Sequence, residues 1–139
     1  MLKNLPSERV KSRLCPLIAF DQIVGGKYKL RILWVLLKGP KRYGEIQRSL
    51  VLACQGKPVT PRILSRELRD LVERGLIGRK AFAEVPPRVE YTLARAGTTL
   101  LPVIEEIINW GIGGHHEAIV RHSAALAARA SRDKAQSPA

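Results

Sequence analysis

Apolar positions recur along most of this chain at the three- and four-residue spacing of helices, interrupted once by the two-residue alternation of strands. The segment LIAFDQIV places Leu17, Phe20 and Val24 on one side, behind a proline suited to a first helical turn, and Gly25-Gly26 end it. KYKLRILWVLLK follows, with Leu30, Leu33, Trp34 and Leu37 as an expected core stripe, closed by Gly39-Pro40. After a short extended step at Lys41 to Tyr43, GEIQRSLVLA turns Ile46 and Leu50 inward. TPRILSRELRDL then aligns Leu64, Leu68 and Leu71 on one face and Arg62, Arg66 and Arg69 on the other. Thr60 is a good N-cap, Pro61 sits at the first helical position and Gly75 supplies the stop.

Two helices joined by a turn, the second carrying arginines outward, predict a helix-turn-helix. LIGRKAFAEV and RVEYTL read as strands joined by Pro86-Pro87, with Val89, Tyr91 and Leu93 alternating against Arg88, Glu90 and Thr92. A basic hairpin directly after such a helix is the wing of a winged helix, so the expected fold is mainly α with a small β-hairpin wing. In TTLLPVIEEIINWG, the residues Leu100, Leu101, Val103, Ile104, Ile107, Ile108 and Trp110 cover about half the circumference. One core does not cover that arc, whereas a partner subunit does. The remainder has an Ala-rich helical middle with His115, Ile119, His122 and Leu126 in a stripe, and no internal repeat is present. The reading divides the chain into a basic arm at 1–14, a domain at 15–111, an additional helix at 112–130 and a disordered tail at 131–139.

Charge sharpens the picture. Lys plus Arg number 24 against 12 Asp plus Glu, a formal net charge of +12 in 139 residues. That surplus favours a polyanionic partner, nucleic acid first and an anionic membrane second. No apolar run approaches the ~18 residues of a membrane span, and the N-terminus lacks a signal-peptide core, which places the chain in the cytoplasm. Two cysteines and three scattered histidines offer no zinc spacing, and no Walker loop, GxGxxG, GxSxG or HExxH occurs. No enzyme, metal site or cofactor is expected; His115-His116 with Glu117 is not by itself a site.

Cys15-Pro16, VGGKYKLRILWVLLKGPKRYGEI, TPRILSRELRDLVERGLI, VPPRVEYTL and LPVIEEIINWG together resemble the HxlR-type regulators, winged helix-turn-helix transcription factors related to the MarR family. The resemblance runs from Cys15 to Gly111. It implies a homodimer whose N-terminal and last shared helices form the interface, with Leu17, Phe20, Leu101, Ile104 and Ile108 in it, and two recognition helices set for a palindromic operator. Three features depart from the family pattern. VLACQGKPVT replaces a shorter turn, Ala94 stands where a capping threonine is usual, so that Thr92 serves or the cap is lost, and the chain continues past Gly111.

The expected DNA contacts are Thr60, Arg62, Ser65, Arg66 and Arg69 on the recognition helix and Arg79, Lys80 and Arg88 on the wing. Arg62, at the N-terminal end of that helix, suits a bidentate guanine contact, and Arg69 suits the backbone. Lys27 and Lys29 are weaker phosphate candidates. Cys15, just before a helix that starts with proline, lies near unpaired N–H groups and a positive dipole end, a setting for redox or electrophile sensing that similar HxlR-type proteins appear in. A small buried hydrophobe is the plain alternative. Trp34, Trp110 and Phe20 are read as core or interface, with an effector pocket as the other possibility. The function expected is a dimeric transcriptional regulator, most simply a repressor, answering to a small effector or thiol modification. The alternatives are a basic winged helix bound to RNA or the ribosome, and a protein-interaction winged helix. An arginine-faced helix fits duplex DNA better, because A-form RNA hides its major groove.

Overall fold

A computed structural model describes residues 15–53 and 58–136. The basic arm expected at the N-terminus, Cys54 and residues 137–139 lie outside the described residues. The chain forms two compact units, one reaching Thr99 and one starting at Leu100.

In the first unit, helix α1 (Pro16–Val24) has its proline in the first turn and stops where Gly26 takes φ +104°. Gly25 has no room for a side chain, since a Cβ there would meet the Asp21 carbonyl. Helix α2 (Lys29–Leu36) buries Lys29, Ile32, Leu33 and Leu36. This stripe is rotated by one residue from the expected Leu30, Leu33, Trp34 and Leu37, of which Trp34 and Leu37 are exposed. The segment LRILWVLL is apolar almost all round, so its periodicity cannot choose a face. Its one buried charge does. Lys29 Nζ stands 2.7 Å from Glu67 Oε2 and 3.2 Å from Asp70 Oδ2, with the Lys29 and Glu67 side chains only 11% and 8% exposed. Lys29, expected among the weaker phosphate contacts, is therefore an interior anchor.

Strand β1 (Lys41–Arg42) leads into helix α3 (Tyr43–Ala53), which turns Ile46 and Leu50 fully inward. Helix α4 (Pro61–Glu73) begins on Thr60, whose hydroxyl accepts from the Ile63 N–H at 3.3 Å. It closes in a Schellman motif, with the N–H groups of Gly75 and Leu76 bonded to the carbonyls of Val72 and Leu71 and Gly75 at φ +75°. Leu64, Leu68 and Leu71 fill the core beneath it. Strands β2 (Ile77–Phe82) and β3 (Arg88–Leu93) pair antiparallel in the register Ile77↔Leu93 to Phe82↔Arg88, and β1 joins the other edge of β3. The result is a three-stranded sheet of order β1-β3-β2 against a helix-turn-helix, a winged helix. A short helix α5 (Arg95–Thr98) follows on Ala94, which makes no side-chain cap. Thr92 does not supply it, and the cap is lost. Gly97 packs so closely that a Cβ would meet the Leu76 carbonyl.

The second unit holds helices α6 (Leu101–Ile112) and α7 (His115–Gln136). On α6 only Ile104 is buried, at 5% exposure, while Val103, Ile107, Ile108, Trp110 and Ile112 are exposed. Ile104, expected against a second copy, is already covered in the single chain. Helix α7 runs past the expected boundary at 130, so the tail expected from 131 is helical to Gln136. The segment ASRDKAQ explains it: Ala, Arg, Lys and Gln are helix formers, and Pro138 is the first breaker. No residue of α7 is buried.

The buried pair makes the stability of the first unit testable. Lys29→Ala takes from the buried Glu67 carboxylate its near cation, leaving only the exposed Arg66 at 3.5 Å, and should lower unfolding free energy by about 3–5 kcal/mol, whereas the joint change Lys29→Met with Glu67→Leu should restore most of it. Urea titration checks both, and a loss below about 1 kcal/mol in Lys29→Ala would show that the pair does not hold these helices. The same titration across pH carries a second signature. Burial works against the Lys29 charge, but hydrogen bonds to Glu67 and Asp70 outweigh it and hold the ammonium above its ordinary pKa. Burial also opposes the Asp70 carboxylate, yet Arg74 and Lys29 hold it below the usual carboxylate range. The Lys29 contribution is present below about pH 10 and is lost as pH climbs through its raised value. The Asp70 contribution is present above about pH 4 and is lost as pH falls through its lowered value. Stability should be flat through neutrality, and Asp70→Asn should remove part of the fall on the acid side.

Candidate nucleic-acid interface

The inward leucines and Glu67 decide which side of α4 faces out. Arg62, Ser65, Arg66 and Arg69 are all exposed, at i, i+3, i+4 and i+7. The helix start is held firmly: the Tyr43 hydroxyl donates to the Pro61 carbonyl at 3.2 Å, and Gln47 Nε2 donates to the Val59 carbonyl at 3.4 Å. Thr60, exposed at this end, is engaged as the cap. Arg66 reaches back to Glu67 Oε1 at 3.5 Å, while Arg62 and Arg69 have no carboxylate partner among the described residues.

The hairpin sorts its three expected contacts differently. Arg79 and Lys80 are exposed on β2, and the Lys80 ammonium lies 4.9 Å from the Phe82 ring centroid. Arg88 is turned into the hairpin. Its guanidinium lies 3.9 Å from the Phe82 ring centroid, 3.1 Å from Glu84 Oε1 and 3.7 Å from Glu90 Oε1. The last separation is too long for a hydrogen bond, and Arg88 Nε, which is buried, has none. Arg88 thus stiffens the turn rather than presenting a charge. Tyr43 and Tyr91, not among the contacts expected from the sequence, stand with Ser65, Arg69 and Arg79 around one crevice between α4 and the sheet. Alternation along β3 set Tyr91 apart from Arg88, Glu90 and Thr92, but its place opposite Arg79 comes from the register of the folded hairpin.

Cys15 occupies the N-cap position of α1, half-buried and making no side-chain cap bond. Trp34 and Trp110 are half-exposed, each lining a crevice of its own, Trp34 beside Leu37 and Lys41, Trp110 beside Ile108 and His116. The histidines of α7 are exposed, and no group of three metal-binding side chains occurs among the described residues.

Comparison with known proteins gives a consistent result. Residues 23–118 match the HxlR-like helix-turn-helix family. An uncharacterised HTH-type transcriptional regulator from Methanothermobacter thermautotrophicus is 38% identical over 106 residues, covering 75% of this chain and 76% of the relative. A protein from Porphyromonas gingivalis W83 assigned to the MarR family of transcriptional regulators superposes with a TM-score of 0.64 at 36% identity, over 74% of this chain and 95% of its own. The redox regulator HypR in its oxidised form gives a TM-score of 0.62 at 33% identity, over 71% and 96%. Most of α7 lies beyond the family match.

The two roles read on the hairpin separate by mutation. Arg88→Ala should lower the melting temperature by several degrees, since its ion pairs and ring contact together contribute about 1 kcal/mol. Lys80→Ala should leave the melt unchanged. An unaltered melt for Arg88→Ala would mean that Arg88 does not brace the turn.

Proposed function

The chain belongs to the HxlR-like helix-turn-helix family of DNA-binding transcriptional regulators, which are not enzymes, and on that premise we propose that it binds a palindromic operator as a homodimer and represses transcription by occupying it. In this reading α4 enters the major groove, and the hairpin lies along the minor groove and backbone. The observation that carries it is the split of α4 between a leucine face in the core and an outward row of Arg62, Ser65, Arg66 and Arg69. Arg62, Ser65 and Arg66 stand nearest the N-terminal end, where a recognition helix meets base edges, and Arg69 and Lys80 serve the phosphates. The apolar side chains left exposed on α1 and α6 support the dimer. Leu17 is 77% exposed and Ile112 is 79% exposed, and both call for cover. Among the described residues no helix is long and apolar enough to cross a membrane, which fits a partner in solution.

Regulation is proposed to act through Cys15. Its sulfur heads α1, beside the apolar residues assigned to the interface, and the similar protein HypR is a redox regulator. Oxidation there adds bulk and polarity at the start of that helix. A bias of about 1–2 kcal/mol between dimer arrangements weakens operator binding about 5–30-fold.

Binding measurements on an operator taken from upstream of the gene test these assignments. Arg62→Ala should lose about 1–3 kcal/mol and relax preference at one base position in each half-site, while Lys80→Ala should weaken all duplexes alike. Matched RNA duplexes should bind more weakly than DNA. Unchanged affinity and selectivity in Arg62→Ala would remove α4 from the recognition role. Diamide should release the wild type but not Cys15→Ser; equal release from both would return Cys15 to a packing residue.

A further inference from the structure

The crevice between α4 and the sheet has an open volume of about 490 Å³. Its cations come from two different elements, Arg69 from the helix and Arg79 from β2. Among the described residues neither guanidinium has a carboxylate partner, whereas Arg66, Arg74 and Arg88 are all paired. Leu68 and Val72 form an apolar floor that cannot hydrogen-bond an occupant, so whatever polar contacts it makes come from the walls. There Ser65 offers a hydroxyl, and Tyr91 stands in register with Arg79. Tyr43 is fixed by its bond to the Pro61 carbonyl, so that wall is set before anything binds. Glu73 also lines the crevice, so its two arginines are offset by one carboxylate and the surplus is a single positive charge, matched to a single monoanion.

The chemistry selects the anion. Two guanidiniums approaching from different elements suit a tetrahedral group with several acceptor oxygens better than a planar carboxylate with two. We infer that this crevice seats one phosphodiester of the bound duplex, held from the helix by Arg69 and from the sheet by Arg79, with Ser65 donating a further hydrogen bond. The inference rests on the DNA-binding reading above and deepens it. Recognition helix and hairpin then share a phosphate, and that shared group fixes the helix in the groove.

Operator duplexes carrying a single neutral methylphosphonate, walked along each strand, provide the test by filter binding. At one position in each half-site the wild type should lose about 10–100-fold in affinity, the worth of a hydrogen bond to a charged group. Arg69→Ala and Arg79→Ala should each lose a similar factor on the unmodified duplex, lose nothing more at that same position, and shallow the salt dependence by about one unit per half-site. Both residues are exposed, so the variants should fold, and thermal melts are the check. The seat is overturned if the two arginines respond to different positions, or if no position loses its effect in the variants. It is also overturned if inorganic pyrophosphate occupies the crevice of the free protein, seen by NMR of the arginine side chains, while the methylphosphonates have no effect. Failure here leaves the DNA-binding reading intact if Arg62→Ala still relaxes base preference.

Discussion

Leucine contacts are non-directional and would let α4 roll in its bed; the 2.7 Å pair between Lys29 and Glu67 does not. A buried carboxylate must meet its cation, so the rotation of α4 about its own axis is fixed at Glu67, and the exposed row follows at the angles that helical geometry dictates. Lys29 carries two further links, to Asp70 at 3.2 Å and to the Gly25 carbonyl at the end of α1 at 3.3 Å. One ammonium therefore joins the close of the first helix, the start of the second and the middle of the fourth. The outward chemistry is set by an inward charge.

Much of this was legible in the sequence, and the limits have physical causes. Thr60, Pro61 and Gly75 bound α4 where they should, because caps are local and each residue satisfies a backbone group within a few positions. The two strands of the hairpin were legible from local residue types as well, while their register, Ile77↔Leu93 to Phe82↔Arg88, is read from the structure. The face of α2 was not legible, since eight mostly apolar residues carry no contrast for a moment to resolve. Glu67, standing between Leu64 and Leu71 on an otherwise apolar face, was the clue to a buried partner, but only the tertiary fold shows that the partner is Lys29. Arg88 illustrates a similar gap. Its alternation marks it as outward on a strand, while Glu84, Glu90 and the ring of Phe82 turn its charge to internal use.

The second unit differs in kind from the first. Its helices α6 and α7 keep most of their apolar side chains exposed in the single chain, and α7 buries none. Isolated helices are only marginally stable in water, so α7 leans on its own propensity, rich in alanine, and on the Trp110–His116 ring contact, 6.0 Å between centroids, near its start. Sequence periodicity predicted the helix correctly in type but not in length, because the apolar stripe ends before the run of helix-forming residues does.

The firm caps on α4 also make it a ruler. From Arg62 to Arg69 the helix advances roughly 10 Å at 1.5 Å per residue. Duplex DNA rises about 3.4 Å per base pair, so a row of that length spans about three pairs. Three pairs distinguish roughly 64 sequences, and two such half-sites about 4,000. A genome offers roughly 10⁶–10⁹ competing positions. On the proposed reading, a helix capped at this length cannot hold all the information an address requires, and the shortfall would fall to the width and stiffness of the duplex itself.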